Sequence, residues 1–408
     1  MPFGSGFGFM VSSASTASSA AALLAAYGGE GLAVDFTDMS MKIVDSGTPS
    51  NNFSGDPNDK LTYSSPGTKW VLGSNGLYSS GSTLRTQYNT SEVATGTQFE
   101  RSKTNVVLWN RDLTNAAWTK SNVTAAKDQT GIDGVSNSAS SITATSANGT
   151  CLQAITLASS ARFQTAFVKR ITGSGTINMT MDNGTTWTAI TVTASWTRVS
   201  IPTQTLANPT VGFRIVTSGD AIAVDFVQNE DGAYASSPIA TTTASVTRAQ
   251  DFCYIPVGSF PNSLTDGTLF VEAISVGSEG GVVELATYSN NTTSNAVLLQ
   301  PLLGTTGRVL ILTGGVLQSN MSLSGLSAPG SGSANKVASA WSNNDAAAVA
   351  NGGTVDVDAS VSIPNAAATI ISFHAAGSGA ANSNSILKSL LYVPTRLTNA
   401  QLQGITTL

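Results

Sequence analysis

The sequence predicts an all-β chain: two antiparallel β-sandwich (jelly-roll) domains in tandem, residues 101–250 and 251–408, after an irregular N-terminal docking region, residues 1–100. Three observations predict it. Apolar residues alternate with polar ones in short runs, as in Val211, Phe213 and Ile215 and again in Ile222, Val224 and Phe226, the period-two pattern of half-buried strands. Turn-forming clusters separate these runs at strand-length intervals. Only 11% of the 408 residues are charged, against roughly 25% in an average domain, and Ser, Thr, Asn, Gly and Ala fill the gap, giving a neutral polar surface. Thr in particular suits a pleated, half-buried face. The length exceeds what one core usually serves, which also points to two or three domains.

The N-terminal region opens with a Gly/Phe segment, residues 1–10, followed by an Ala-rich run, residues 15–27. Residues 21–26 favour helix, with Ser18 or Ser19 as N-cap and Gly28 and Gly29 as the stop. This stretch reads either as a docking peptide with one short helix or as a frayed terminus. From residue 31 to 100, apolar patches at 32–34, 70–72 and 76–78 alternate with turn-rich runs at 46–52 and 55–59, an irregular β arrangement.

In the middle region, 211–215 and 222–226 flank a turn at 217–220. Residues 186–193 and 196–201 form another candidate pair, and Asp182, Asn183 and Gly184 supply a hairpin signal before Trp187. Beyond Phe252, strands are predicted at 268–276, 281–287, 296–301, 309–312, 336–341, 347–350, 354–357, 369–373 and 387–393. Thr398 and Gln401 fit a capping box that opens a terminal helix with Leu402 and Ile405 facing inward. The run 328–333 is a loop within this domain.

Charge and composition exclude several functions. A net charge of −5 offers no basic field for phosphates or anionic lipid, so no nucleic-acid partner is expected. The apolar run 20–27 is far shorter than the ~20 residues of a membrane span, and no Lys or Arg precedes Lys42 to start an export signal. If the chain works outside a cell, it is expected to arrive within an assembly released by lysis. Cys151 and Cys253 are either two buried thiols or one bridge. His374, the only histidine, rules out clustered-His zinc sites and reads as structural. No Walker, Rossmann or nucleophile-elbow pattern is present.

The run 105–118, NVVLWNRDLTNAAW, resembles the opening of a carbohydrate-binding-module-like jelly roll that recurs in phage and prophage virion structural proteins. The runs 182–187, 196–200, 225–238 and 246–250 follow in the matching order. The C-terminal region resembles the concanavalin A-like (laminin G-type) sandwich of the same proteins, through 341–345 with 349–353 and 390–396 with 397–402. The two likenesses cover about three quarters of the chain, and the first hundred residues match neither. The resemblance implies a structural component of a phage-like virion (fibre, spike or tail-associated protein), bound to other virion proteins through its N-terminal region and to host-surface glycan, without catalytic residues. Such proteins are often homo-oligomers, with a trimer favoured because it gives avidity to weak sites. The alternatives are an architectural capsid or tail decoration protein, or a glycoside hydrolase acting on surface polysaccharide.

Sugar recognition needs flat aromatic faces flanked by amides and short carboxylates. Trp187, after the hairpin turn, and Tyr288, before the polar run 289–294, are the carbohydrate-contact candidates. Trp196 and Trp341, within strands, and Trp118 read as core, while Trp109 and Tyr234 are further aromatics to place. A glycosidase would need paired carboxylates, for which Glu230 with Asp231, Asp356 with Asp358, and Glu272 with Glu284 across a hairpin are the options. No cofactor is expected. Calcium is possible only through the oxygens at 56–59 and 343–345, which lack a diagnostic loop.

Overall fold

The computed structural model describes residues 19–65, 67–263, 265–278, 284–301, 305–363, 368–373 and 383–407. It is built almost wholly of antiparallel strands, in two sandwiches with separate cores. The larger one faces a ten-stranded sheet with a seven-stranded sheet. Gly267–Ser278 and Ser383–Val393 run down the middle of the former, with Leu269 opposite Tyr392 and Val271 opposite Leu390. Leu269, Val271, Leu390 and Tyr392 point into the sandwich, while Phe270, Leu391 and Val393 point the other way.

Two helices bury that second face. α1, Ser19–Ala26, lays Ala20 and Leu24 on it, and α2, Asn399–Thr406, adds Leu402 and Ile405. A strand covered on both sides needs apolar residues at every position, and Asp345–Ala350 reads DAAAVA, with its last five residues buried. Alanine on the helix side lets the helix backbone approach closely. The capping box of α2 is present, with the Gln401 N–H donating to Thr398 Oγ1 at 3.3 Å. Gly28 and Gly29, at φ +130° and +73°, end α1. The helix expected in a docking peptide therefore packs on the chain's own sheet.

The domain division differs from expectation. Gly31–Asp35 pairs with Ser383–Val393, Ala94–Phe99 pairs with the same strand, and Thr62–Ser64 pairs with Phe252–Pro256. Most strands of residues 31–99 thus belong to the larger sandwich, apart from the separate hairpin of Lys69–Leu72 and Tyr78–Gly81, and the middle sandwich is inserted into it rather than following an irregular region. Pairings across some 350 residues leave no local trace in a sequence.

The inserted sandwich has two five-stranded sheets. One holds Thr119–Ser121, Gly149–Ala154, Thr210–Ile215, Ile177–Thr180 and Thr188–Ile190; the other holds Val123–Gln129, Ala139–Ala144, Ala221–Asp231, Ser160–Thr172 and Thr197–Leu206. The hairpin around residues 182–184 is present, with Met179 opposite Thr188. The other two expected pairs are not hairpins. Thr210–Ile215 and Ala221–Asp231 lie in opposite sheets, as do Thr188–Ile190 and Thr197–Leu206, so their turns cross the sandwich. Alternation shows which face is inward but not which strand is the neighbour.

The chain enters the insertion along Lys103–Asn105 and leaves along Val246–Arg248, two strands paired with each other. Beside this crossing four charges are buried together. Lys69 Nζ lies 2.7 Å from Asp251 and 3.7 Å from Glu100, and Arg248 lies 3.5 Å from Glu100 and 3.7 Å from Asp251, with every side chain at most 5% exposed. The Glu100 N–H and the Tyr63 hydroxyl donate to Asp251, and the Ser237 N–H donates to Glu100. Burial pushes the Asp251 carboxyl upward, but Lys69 and Arg248 outweigh it and hold the pKa below the usual carboxylate range.

Replacing Asp251 with Ala leaves two buried cations sharing only Glu100, so stability falls by about 3–5 kcal/mol, read as a lower urea midpoint. Because the folded pKa is depressed, this contribution is complete above the unfolded pKa and is lost as pH falls through the folded one. The gap between wild type and variant therefore narrows on acidification, and a gap independent of pH contradicts the assignment.

Candidate functional site

Trp187 lies on the solvent face of the sheet containing Ile177–Thr180 and Thr210–Ile215. Inward positions of those strands, Ile177, Met179, Val211, Phe213 and Ile215, fill the core. The alternate positions form an outward row in which Thr150, Arg214 and Asn178 are cross-strand neighbours. The turn before Trp187 is held by Asp182, which accepts from the Thr186 N–H at 2.9 Å and from the Thr180 hydroxyl at 2.7 Å. Burial raises the Asp182 pKa, but these hydrogen bonds prevail and leave it lowered.

Gly184 sits at φ +78°, where a Cβ would come within 2.7 Å of the Trp187 ring, so only glycine fits both backbone and neighbour. Trp187 is half-buried, with the Arg214 guanidinium 4.5 Å from the ring centroid. Arg214 donates to Asn178 Oδ1 at 3.1 and 3.3 Å and meets no carboxylate among the described residues.

Tyr288 is not a rim residue. It is 3% exposed, stacked on Tyr392 at 5.5 Å and tilted against Trp341 at 5.6 Å. In Ala286–Ser289 the positions 286 and 288 face the core, and the polar run after the strand does not alter that parity. Trp341 and Trp118 are buried as expected, whereas Trp196 is half-buried, donates from Nε1 to Thr130 O at 3.2 Å and lies under Lys169. It precedes Thr197–Leu206 and faces out of the sandwich. Trp109 is half-buried, and Tyr234 is buried with Lys103 over its ring.

The carboxylate pairs are engaged elsewhere. Glu230 is buried and accepts from Ser236, while Asp231 reaches Arg162 with its side chain 68% exposed. Asp356 accepts from the Ser322 N–H, and Asp358 from Ser360. Glu272 pairs with Lys388; it belongs to the ten-stranded sheet, and Glu284 precedes a strand of the seven-stranded sheet, so no hairpin brings them face to face. Of the oxygens considered for calcium, Asp56 caps the turn Pro57–Asp59 and Asp345 pairs with Arg396 at 2.8 Å. No group of three metal-ligating side chains occurs among the described residues. Cys151 and Cys253 are free, buried thiols in different sandwiches. His374 lies outside the described residues.

A second feature went unnoticed in the sequence. Where the inserted sandwich meets the larger one, a groove of about 610 Å³ is lined by Gln87, Gln98, Thr165, Arg198, Ser200 and Tyr234 among others. A hollow of about 280 Å³ with Tyr78, Phe167 and Trp196 adjoins it, and Arg198 borders both. The hollow forms because the hairpin of Lys69–Leu72 and Tyr78–Gly81 leans on the inserted sandwich, with Trp70 against Phe226 and Tyr78 against Phe167. No periodicity marks these residues, since stretches distant in sequence, around residues 72–78, 90, 132, 167 and 195–198, meet there.

Fold and surfaces together define a class: an all-β, double-sandwich protein with polar, aromatic-bearing surfaces. No protein-family model and no curated protein matches the sequence. Among solved structures, the chain is similar to the CBM40 module of the Ruminococcus gnavus IT-sialidase bound to α2,3-sialyllactose, at 14% identity over 36% of this chain and 84% of that one, TM-score 0.31. It is also similar to the CBM22-1-CBM22-2 tandem of Paenibacillus barcinonensis Xyn10C, at 10% identity over 71% and 97%, TM-score 0.24. A third is mouse laminin α1 LG4-5, at 10% identity over 62% and 89%, TM-score 0.24. At these scores the likeness says nothing about what this chain binds.

The aromatics separate by truncation cost. Trp341→Ala removes a fully buried ring and costs about 3–5 kcal/mol, whereas Trp187→Ala costs under about 1 kcal/mol. Urea unfolding of both variants checks this, and equal losses contradict the placement of Trp187 on the solvent face.

Proposed function

We propose that the protein is a structural component of a phage-like particle (a fibre, spike or tail-associated protein) that engages host-surface glycan through the solvent face around Trp187. The observation that carries this reading is the Trp187–Arg214 arrangement: a fixed aromatic ring beside a guanidinium that has no carboxylate partner among the described residues and is held in place by the covered amide of Asn178. Such a surface offers C–H stacking and hydrogen bonds to hydroxyls without large hydrophobic exposure. The virion placement rests on the resemblance of residues 105–118, 182–187, 196–200, 225–238 and 246–250 to virion proteins. Contacts with other virion proteins are assigned to the N-terminal region, residues 1–100, and trimerisation would multiply weak sites.

The burial of Tyr288 removes one of the two expected contacts and favours the rival reading, an architectural decoration protein without a ligand. Screening wild type and Trp187→Ala on an array of bacterial surface glycans decides between them. The glycan reading expects binding that the variant weakens at least tenfold, about 1.4 kcal/mol. Absence of any ligand, or equal binding by the variant, leaves the architectural reading. Detection of the chain in purified particles by mass spectrometry tests the virion placement.

A further inference from the structure

Arg198 lies on the wall between the groove and the aromatic hollow. Its guanidinium is half-buried and lies 5.5 Å from the Phe167 ring centroid. Nη2 donates to Thr165 Oγ1 at 3.2 Å and to Ser236 O at 2.6 Å, while Nε is buried without an acceptor among the described residues. Elsewhere in the inserted sandwich and its crossing strands, Arg111, Arg162, Arg170 and Arg248 each reach a carboxylate within 2.6–3.5 Å, whereas Arg214 lies against Asn178 on the solvent face. Arg198 reaches none among the described residues. A partly desolvated cation without counter-charge is costly, and an anion supplied from outside would offset that cost.

The surroundings narrow the choice of anion. The groove is lined by Gln87, Gln98 (9% exposed), Ser200 and the half-buried Phe163, with Arg198 on the wall it shares with the hollow. Amides and a hydroxyl suit sugar hydroxyls, aromatic faces suit sugar C–H groups, and the groove's size falls within the roughly 300–1,000 Å³ of small-ligand sites. One arginine in a chain of net charge −5 does not suit a polyphosphate or nucleic acid. We infer that the groove between the two sandwiches is a second ligand site, distinct from the Trp187 face, that takes a carboxylate-bearing oligosaccharide, with Arg198 holding the carboxylate and Gln98, on the opposite wall, the hydroxyls. Since its walls come from both sandwiches, an occupied groove ties them together.

The test is calorimetric titration of the full-length chain with galacturonate and glucuronate oligosaccharides and with their methyl esters, which keep the hydroxyls and lose the charge. The site expects binding of at least one free acid and at least tenfold weaker binding of its ester. Arg198→Gln should weaken the acid at least tenfold and Gln98→Ala, from the opposite wall, at least threefold, while Trp187→Ala leaves it unchanged. Circular dichroism confirms that each variant is folded, and Gln98→Ala decides the matter if Arg198→Gln is not. The inference is overturned if no acidic oligosaccharide binds, if acid and ester bind alike, if acetate competes as well as the oligosaccharide, or if only Trp187→Ala reduces binding. That last outcome would leave the solvent-face reading intact.

Discussion

Everything about how this chain displays its surfaces depends on the four charges buried where the inserted sandwich begins and ends. Lys69, Glu100, Arg248 and Asp251 come from three stretches of chain, one before the insertion and two at its borders. Two cations and two carboxylates balance, the Glu100 N–H shares Asp251 Oδ2 with Lys69, and the Ser237 N–H donates to Glu100 Oε1. Removing any one charge leaves others buried and uncompensated, a much larger penalty than losing a surface ion pair. Such a cluster forms only in one arrangement of the three stretches, so it specifies geometry more than it adds stability.

That geometry has consequences farther out. With the crossing strands pinned, the hairpin after Lys69 is aimed at the inserted sandwich, where Trp70 and Tyr78 meet Phe226 and Phe167. Arg111 ties the same region together, pairing with Asp225 at 2.7 Å while lying over Phe226. The groove and its aromatic hollow are what this contact leaves unfilled. The opposite sheet of the inserted sandwich stays in solvent and carries Trp187, so one sandwich presents two chemically different surfaces.

Local features were the most legible. Strands at 296–301 and 387–393, the Gly184 hairpin and the Thr398–Gln401 capping box each depend on near neighbours, and the structure has them. Tyr288 was legible too, because it shares parity with Ala286 on a strand whose other positions are hydroxyls, and the polar run beyond the strand does not change which face it takes. Strand partners were not legible, since both inner faces of a sandwich alternate alike. Nor was the insertion, which rests on Gly31–Asp35 meeting Ser383–Val393. Arg198 escaped because its interest lies in what it lacks, and a missing carboxylate is visible only in three dimensions.

The claim that the junction is locked rather than hinged is tested most directly by hydrogen exchange, followed by mass spectrometry on peptides covering residues 98–105 and 246–253. The Glu100 amide is held by Asp251 Oδ2, and the Asp251 amide by Glu100 O, each at 2.9 Å. These peptides should exchange as slowly as core strands such as Gly267–Ser278, which require global opening. Exchange as fast as that of the exposed turn at Gly314 and Gly315 would mean that the two sandwiches move independently.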